Sequence, residues 1–411
     1  MPVGQMRVAL SKTRGTSRAP SLGPSGPGPT LTFVAGKTQE ALYSEIDLDL
    51  SWSEEELPQA QRTKHVHSLH PYLGKYVPQL VEIFLSRYFR SGQCVYDPFV
   101  GSGTTLVEAN VQSLDAVGCD VSAFNCLLSR VKTTRYSMAA VELALKGAVE
   151  EARRHGPAQT ASTSDWLRAW FAPRALGELL RYRQTFAARL DEPTRDVAKV
   201  IASRAARSAR RTTHFDLDFP RVPVTESYFC HKHKRICRPV GESMKFLIRY
   251  TTDTVRRLRA FSAVQKRQFV QILHADARSV RLPVRPDGVI TSPPYPGLID
   301  YHEQHRYAYE LLQLKDQRSK EIGAAAFGTS RVALSRYVES MATVFANAAE
   351  QLPLSAPVII VVNDSRNLYP DILSRSGLKL EEKLTRHVNR RTGRRAGEFF
   401  ESVLVCRVTR R

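Results

Sequence analysis

Long apolar runs are missing from this sequence, and cysteines are scarce in it. No stretch of the 411 residues is long and apolar enough to cross a bilayer, which excludes a membrane-spanning protein. Six scattered cysteines are unlike a disulfide framework and indicate reduced thiols, so we expect a cytoplasmic protein. Residues 1–45 lack the apolar core of a signal peptide and are basic and rich in Ser, Gly and Pro, so we interpret them as a disordered tail.

Acidic side chains are also in deficit. There are 40 Asp and Glu residues against 60 Lys and Arg residues, which gives a formal net charge of +20. An excess of this size favours a polyanionic partner, because neutralising phosphates releases their counterions. DNA, RNA and an acidic surface remain open on charge alone, as does a basic protein without such a partner.

Short apolar segments alternate with segments of helical periodicity, and this pattern predicts an α/β fold. Helices are expected over 77–89, from Thr104 onward and over 336–351. The last predicted strand alternates in polarity, as an edge or antiparallel strand does. The predicted strands cover residues 94–97, 116–120, 269–274, 288–291, 357–362 and 400–408.

A glycine-containing turn, Asp97-Pro98-Phe99-Val100-Gly101-Ser102-Gly103-Thr104-Thr105, follows the first predicted strand. Two glycines let a backbone approach a ligand, although a Gly-x-Gly turn is often only a tight connection. A phosphate-binding P-loop would need Lys-Ser or Lys-Thr after Gly103, and neither follows. Asp97 is suited to an ammonium group, Asp120 to a ribose diol and Asp276 to an adenine amine. Together they predict a zwitterionic ligand that carries adenosine.

A second motif, Thr291-Ser292-Pro293-Pro294-Tyr295, ends another predicted strand. An aromatic amine is a poor nucleophile because its lone pair is delocalised into the ring. Acceptors such as the Ser292 hydroxyl and the Pro293 carbonyl, held rigid by Pro294, would restore that lone pair, and Tyr295 would stack on the base. A polyproline turn is the alternative, but a position after a buried strand of the same sheet favours an active site.

The two motifs together resemble those of the DNA amino-methyltransferases of the N4-cytosine and N6-adenine type, found in restriction-modification systems. The resemblance covers about 68–120 and 272–407, and implies a Rossmann-like class I methyltransferase sheet with a reversed terminal hairpin. It implies S-adenosylmethionine as the cofactor and Ser292, Pro293, Pro294 and Tyr295 as catalytic residues. The implied cofactor-binding residues are Tyr72, Lys75, Asp97, Pro98, Phe99, Gly101, Gly103, Thr104, Asp120 and Asp276.

The family's chemistry implies methyl transfer to the exocyclic amine of a base flipped out of double-stranded DNA. A serine-headed tetrapeptide more often accompanies cytosine N4 targets, so cytosine N4 is the preferred acceptor. Adenine N6, or an amine of RNA or protein, is the alternative. Cytosine C5 methylation is disfavoured because no Pro-Cys pair supplies the thiol nucleophile. A cognate restriction endonuclease is a further expected partner.

Three parts follow the tail in this interpretation. Residues 46–132 form the cofactor-binding part of the methyltransferase domain, and 263–411 form its catalytic part. Residues 133–262 form a mostly helical insertion that interrupts the sheet and is the candidate for target recognition. Arginines at helical spacing within it are predicted DNA contacts, as is a second cluster near the end of the chain, although solvated basic faces are the alternative. These residues are Arg204, Arg207 and Arg211, and Arg390, Arg391 and Arg394.

Two clusters have the composition of metal sites. Cys230, His231, His233 and Cys237 are four possible zinc ligands, but their spacing matches no standard zinc finger and adjacent ligands are strained. His65, His67 and His70 precede a helix, where structural roles are more common. We therefore expect no metal.

Overall fold

The computed structural model describes residues 50–53, 55–214, 216–217, 220–388 and 399–409. The predicted tail over 1–45 lies outside these residues, as do Arg390, Arg391 and Arg394. Among the described residues no helix has the length and apolar character needed to span a membrane.

The described part of the chain contains two sheets. The strands are β1 Cys94–Asp97, β2 Asp115–Asp120, β3 Tyr228–Cys230, β4 Arg235–Cys237, β5 Val270–His274, β6 Gly288–Thr291, β7 Pro357–Val362, β8 Leu378–His387 and β9 Phe400–Val408. The main sheet has seven strands in the order β5-β2-β1-β6-β7-β9-β8, and β3 pairs with β4 as a separate hairpin. All main-sheet pairs are parallel except those that β9 makes with β7 and β8.

Helices cover both faces of the main sheet. The α-helices of the described residues are α1 Gln59–Arg62, α2 Pro78–Tyr88, α3 Thr104–Val111, α4 Ala123–Thr133, α5 Met138–His155, α6 Asp165–Trp170, α7 Pro173–Arg189, α8 Glu192–Ala209, α9 Met244–Ser262, α10 Tyr301–Gln304, α11 Arg306–Leu312, α12 Arg331–Glu350 and α13 Tyr369–Arg375. Alternate strand residues serve opposite cores: Val95 packs with α2 and α3, and Val358 packs with α12 and α13. Because both faces of these strands are buried, apolar residues follow one another in their sequences.

The predicted Rossmann-like α/β sheet with a reversed terminal hairpin is confirmed. The strands predicted over 94–97, 288–291, 357–362 and 400–408 have the observed bounds. The antiparallel alternative for β9 is correct and the edge alternative is wrong, because β9 is paired on both sides and β8 forms the edge.

Helices α5 to α9 lie between α4 and β5, within the predicted insertion. They surround an apolar core that includes Leu145, Leu179, Ile201, Leu247 and Phe261. The role of this region in target recognition stays a prediction.

The strand order places a crevice in the sheet. From β1 the chain moves outward to β2 and β5, then returns to β6 on the other side of β1. Open α/β sheets bind ligands at the carboxyl ends of the strands where the order reverses in this way. That point lies between β1 and β6, which carry the two motifs.

Candidate functional site

A cleft of about 790 Å³ opens at the carboxyl ends of β1, β2 and β6. Most of the residues that the sequence predicts for the cofactor and catalytic sites line it. These are Tyr72, Lys75, Pro98, Phe99, Gly101, Thr104, Asp120, Asp276, Ser292 and Pro294.

Asp97 lies outside this lining, in the interior of the protein. Its carboxylate accepts hydrogen bonds from the Thr105 hydroxyl (2.6 Å), the Thr291 hydroxyl (2.7 Å) and the Phe99 backbone N–H (3.1 Å). Burial raises the pKa of Asp97 to about 6. The prediction that Asp97 holds a ligand ammonium group does not fit this position, because its buried carboxylate does not line the cleft. Its contacts are those of a positioning residue between the two motifs.

The two glycines of the turn serve different purposes. Gly101, with a φ of +47°, lines the cleft, and a Cβ there would lie 3.0 Å from the Tyr72 hydroxyl. Gly103, with a φ of +79°, precedes α3 but does not line the cleft. A Cβ on Gly103 would lie 2.8 Å from the Ser129 hydroxyl and 3.2 Å from Ser129 Cα, so this glycine allows α3 and α4 to approach.

Asp120 lies at the end of β2 and faces the cleft. Its carboxylate accepts hydrogen bonds from the N–H groups of Gly101 (3.0 Å) and Ser122 (2.8 Å) and from the Asn125 side chain (3.0 Å). Burial raises the pKa of Asp120 to about 6 despite these donors. The turn of the first motif is thus tied to the end of the second strand.

Two further predicted cofactor residues line the cleft with their charges engaged by protein groups. Asp276, two residues beyond β5, forms an ion pair with Arg278 at 2.7 Å. The Lys75 ammonium donates to the His67 carbonyl oxygen at 2.5 Å, and burial lowers the pKa of Lys75 to about 8. At the cleft, the charge of each residue is therefore partly balanced by a neighbouring protein group.

An aromatic wall closes another side of the cleft. The rings of Tyr72 and Tyr301 stack at 5.6 Å, and Tyr72 also stacks on buried His305 at 5.7 Å. Of the residues just downstream of the second motif, Tyr301 lines the cleft and Asp300 caps α10 by accepting from the Glu303 N–H.

Several cleft residues were not predicted from the sequence. Ser122 is the N-cap of α4 and accepts from the backbone N–H of Asn125 in the first turn; a serine two residues after Asp120 and just before a helical pattern is a helix-start signal that would have revealed them. Glu321 comes from the loop between α11 and α12, where no motif marks it. Its carboxylate contacts the buried His302, which anchors the loop.

The second motif forms the wall between this cleft and a neighbouring one. Ser292 and Pro294 face the first cleft, whereas Tyr295 and Pro296 face the second. The Tyr337 hydroxyl donates to the Pro294 carbonyl oxygen at 3.0 Å and holds the loop. Pro293 is buried, and within the described ranges its carbonyl accepts no hydrogen bond from the protein.

The second cleft is open to solvent and has an aromatic lining that includes Tyr295, Tyr337, Tyr369 and Phe399. The Tyr295 hydroxyl donates to Glu401 at 3.0 Å, and burial together with the Glu401 charge keeps the pKa of Tyr295 well above its usual value. Exposed Arg366 lies on the rim. A flat ring bearing an amine would therefore have aromatic surfaces on one side of the Ser-Pro-Pro-Tyr loop.

Known proteins with similar sequences identify the family. A family model described as DNA methylase, of the N6/N4 type, matches residues 33–130. The type II methyltransferase M.MjaII of Methanocaldococcus jannaschii is 34% identical over 447 residues, which cover 89% of this chain and 84% of that protein. The chain belongs to the type II DNA methyltransferases. The type II methyltransferase M.MvaI of Kocuria varians is 35% identical over 71 residues, or 16% of each chain.

This methyltransferase is thus an enzyme of DNA amino-methylation, its cofactor is S-adenosylmethionine and its substrate is DNA. Among solved structures, an rRNA methyltransferase of Streptomyces viridochromogenes is 13% identical, with a TM-score of 0.34 over 86% of this chain and 95% of that one. A score this low supports no argument.

The arginines of this methyltransferase that are predicted to contact DNA differ in how exposed they are. Arg204 is 7% exposed, forms an ion pair with Asp253 at 2.5 Å and lies over the Tyr250 ring at 4.4 Å. Arg204 therefore does not fit its predicted role, because its charge is buried and compensated. Arg207 and Arg211 are partly exposed on and just after α8.

The two candidate metal clusters differ in their composition and in the charges around them. His65 and His67 group with buried Glu108, as in a metal site, but Lys64 donates to Glu108 at 3.0 Å and contacts Glu82. An ammonium group thus neutralises that carboxylate. The second cluster includes Cys230 and Cys237.

Proposed function

We propose that the enzyme methylates the exocyclic N4 amine of cytosine in a specific DNA sequence, and that the cytosine is flipped out of the duplex. The juxtaposition of the two clefts at the Ser-Pro-Pro-Tyr loop carries this proposal. A reacting amine at the loop would face the first cleft on one side, and its ring would occupy the second.

The loop offers the acceptors that an aromatic amine needs. The Ser292 hydroxyl lies at the first cleft, and the Pro293 carbonyl accepts no hydrogen bond from the described part of the chain. A hydroxyl and a carbonyl at this point would orient the two amine hydrogens and turn the nitrogen lone pair toward the methyl group. Serine at this position favours cytosine N4, as the family resemblance implies.

The first cleft has groups that fit S-adenosylmethionine. We assign the ribose diol to Asp120, the adenine amine to Asp276 and the methionine portion to the turn of Gly101 and Thr104 before α3. Bound there, the cofactor supplies a methyl group on a positively charged sulfur. Tyr72 and Tyr301 would exclude water from this side of the cleft.

The second cleft fits a flipped base. Tyr295 and Phe399, with ring centroids 6.4 Å apart, provide surfaces for stacking, which offsets part of the cost of leaving the duplex. The bond from Tyr295 to Glu401 fixes the tyrosine ring before a base arrives. We assign Arg366 on the rim to a backbone phosphate next to that base.

The helical region would read the flanking sequence. We propose that Arg207 and Arg211 contact DNA, together with Arg390, Arg391 and Arg394, which follow β8 in the sequence and lie outside the described residues. A restriction endonuclease that recognises the same site is the proposed partner. The six buried free cysteines support the proposal of a reducing, cytoplasmic environment.

The test is nucleoside analysis of DNA from cells that express the chain, by liquid chromatography and mass spectrometry. We expect N4-methyldeoxycytidine, and much less of it from cells expressing Ser292→Ala. N6-methyldeoxyadenosine alone would overturn the base assignment while leaving the family assignment intact. In a parallel assay with labelled cofactor, transfer to RNA but not to duplex DNA would overturn the proposed substrate.

A further inference from the structure

The buried side chains of the strands β3 and β4 are two cysteines. The outward-facing residues Phe229 and Ile236 are 52% and 65% exposed, whereas Cys230 and Cys237 are 3% and 7% exposed. A two-stranded hairpin is at best marginally stable without a core to pack against. Small units of this kind are commonly held by a metal ion or a disulfide.

The two cysteines meet two histidines beside this hairpin, one partly buried (His214) and one exposed (His233). The Cys230 Sγ lies 3.5 Å from His214 Nδ1 and 3.6 Å from His233 Nδ1, and the Cys237 Sγ lies 3.5 Å from His233 Nδ1. One ligand atom from each of the four residues lies within 4.8 Å of every other. Four such atoms surround a single point.

These distances match the edges of a zinc coordination tetrahedron. With Zn–S bonds of about 2.3 Å and Zn–N bonds of about 2.0–2.1 Å, a tetrahedral angle gives an S···N edge of about 3.6 Å. Two sulfurs and two imidazole nitrogens in tetrahedral arrangement are a donor set that selects zinc.

Local structure explains why these four residues converge. The turn after β3 brings the His233 N–H to the Cys230 carbonyl at 3.2 Å, and Lys234 has a φ of +54°. Cys237 lies opposite Tyr228 in the hairpin register. The Tyr228 hydroxyl accepts from the His214 backbone N–H at 3.0 Å, which places that residue beside the hairpin. The same hydroxyl lies 3.0 Å from His214 Nδ1, a contact that coordination of this nitrogen would replace.

We propose that one zinc ion binds here, held by Sγ of Cys230 and Cys237 and Nδ1 of His214 and His233, and stabilises the hairpin. The two thiols would each lose a proton on binding. This proposal replaces the sequence-based expectation that no metal is bound. It also replaces the candidate ligand His231 by His214. The His231 ring lies 5.2 Å from that of Phe229 and its nitrogens are not among the four clustered ligand atoms, whereas His214 completes the set from 16 residues before Cys230.

The cluster of His65, His67 and Glu108 is not suited to a metal ion in the same way. There Lys64 occupies the position of a counter-charge to Glu108, and the Lys64 ammonium would repel a cation. In the hairpin, the basic side chains of Lys232 and Arg235 are exposed to solvent, which screens their charges. Zinc would thus fix a turn that presents positive charge to solvent.

The experiment is metal analysis of the purified full-length chain by inductively coupled plasma mass spectrometry after a wash with a weak chelator. We expect about one zinc per chain. Cys230→Ser, Cys237→Ser and His214→Ala should each lose most of the metal, and the matched control His231→Ala should retain it. Retention in His214→Ala with loss in His231→Ala would overturn the ligand set.

A second measurement does not depend on how the variants fold. Replacing zinc in the wild-type chain by Co²⁺ should give the visible bands of tetrahedral cobalt with thiolate ligands, and removal of the metal should expose the hairpin to proteolysis. A wild-type chain that contains no zinc and takes up neither Zn²⁺ nor Co²⁺ would overturn the proposal. So would a disulfide between Cys230 and Cys237 in freshly purified protein. Neither readout depends on which base is methylated.

Discussion

The Thr291 hydroxyl donates a 2.7 Å hydrogen bond to Oδ1 of Asp97, which lies 194 residues earlier in the chain. Asp97 ends β1 and begins the glycine-containing turn, and Thr291 ends β6 and begins the Ser-Pro-Pro-Tyr loop. This bond, between fully buried side chains, therefore fixes the cofactor turn relative to the catalytic loop. A methyl transfer in line requires such alignment, because small displacements of the reacting atoms slow it steeply.

Thr291→Val should lower the rate of methyl transfer about tenfold and the free energy of unfolding by about 1–3 kcal/mol, because a buried carboxylate loses one of its donors. Single-turnover kinetics and urea denaturation measure the two effects. Thr251→Val is a matched control: it removes a buried hydroxyl that donates to the Leu247 carbonyl oxygen, far from the clefts in sequence. An unchanged transfer rate in Thr291→Val would contradict the alignment role.

Ser292→Ala and Asp120→Ala should separate catalysis from cofactor binding. Ser292→Ala removes a proposed amine acceptor, so we expect the transfer rate to fall at least about 100-fold with little change in the Kd for S-adenosylmethionine. Asp120→Ala removes the proposed ribose partner and should raise that Kd about tenfold or more. Isothermal titration calorimetry and single-turnover kinetics distinguish them, and equal losses of both properties in both variants would contradict the assigned roles.

Cofactor affinity should depend on pH through Asp120. Burial raises the pKa of this carboxyl to about 6, so it is ionised above that pH and protonated below it. The ionised form is the better acceptor for a diol, so affinity should rise several-fold from pH 5 to pH 7 and then level. Fluorescence titration of S-adenosylmethionine measures this.

The Asp120→Asn variant should bind S-adenosylmethionine weakly, and its affinity should no longer depend on pH, since the amide does not titrate. Asp97 is the control for a general effect of buried carboxylates, because burial also raises its pKa to about 6 although it lies outside the cleft. A profile that is unchanged in Asp120→Asn and flat in Asp97→Asn would assign the effect to Asp97 instead.

Local signals explain how much of the site could be predicted from the sequence. The strands that end at Asp97 and Thr291 are short apolar runs bounded by proline and glycine, and each is buried on both faces of one sheet. Residues directly after such strands must share one edge of the sheet, so the meeting of the two motifs followed from the pattern.

The rest depended on tertiary contacts that leave no local pattern. Arg204 lies on α8, where alanines cover much of the helix surface, so spacing alone did not reveal which side faces α9 and Asp253. His214 joins the cysteine cluster only because the Tyr228 hydroxyl binds its backbone N–H. Asp97 has the residue type of a ligand partner, but its carboxylate is buried away from the cleft and accepts hydrogen bonds from protein groups, including the hydroxyls of Thr105 and Thr291.

Arg366→Ala should weaken DNA binding and reduce its dependence on salt. If Arg366 contacts one phosphate, its removal should lower the slope of log K against log salt concentration by about one, and weaken cognate and non-cognate duplexes alike. Arg375→Ala is the matched control, because Arg375 is an exposed arginine on the same segment whose charge is already paired with Asp371 at 2.7 Å. Fluorescence anisotropy at several salt concentrations measures both slopes. Equal slopes for Arg366→Ala and wild type would place the rim of the second cleft away from the DNA backbone, and the flipped base would then have to enter from another side.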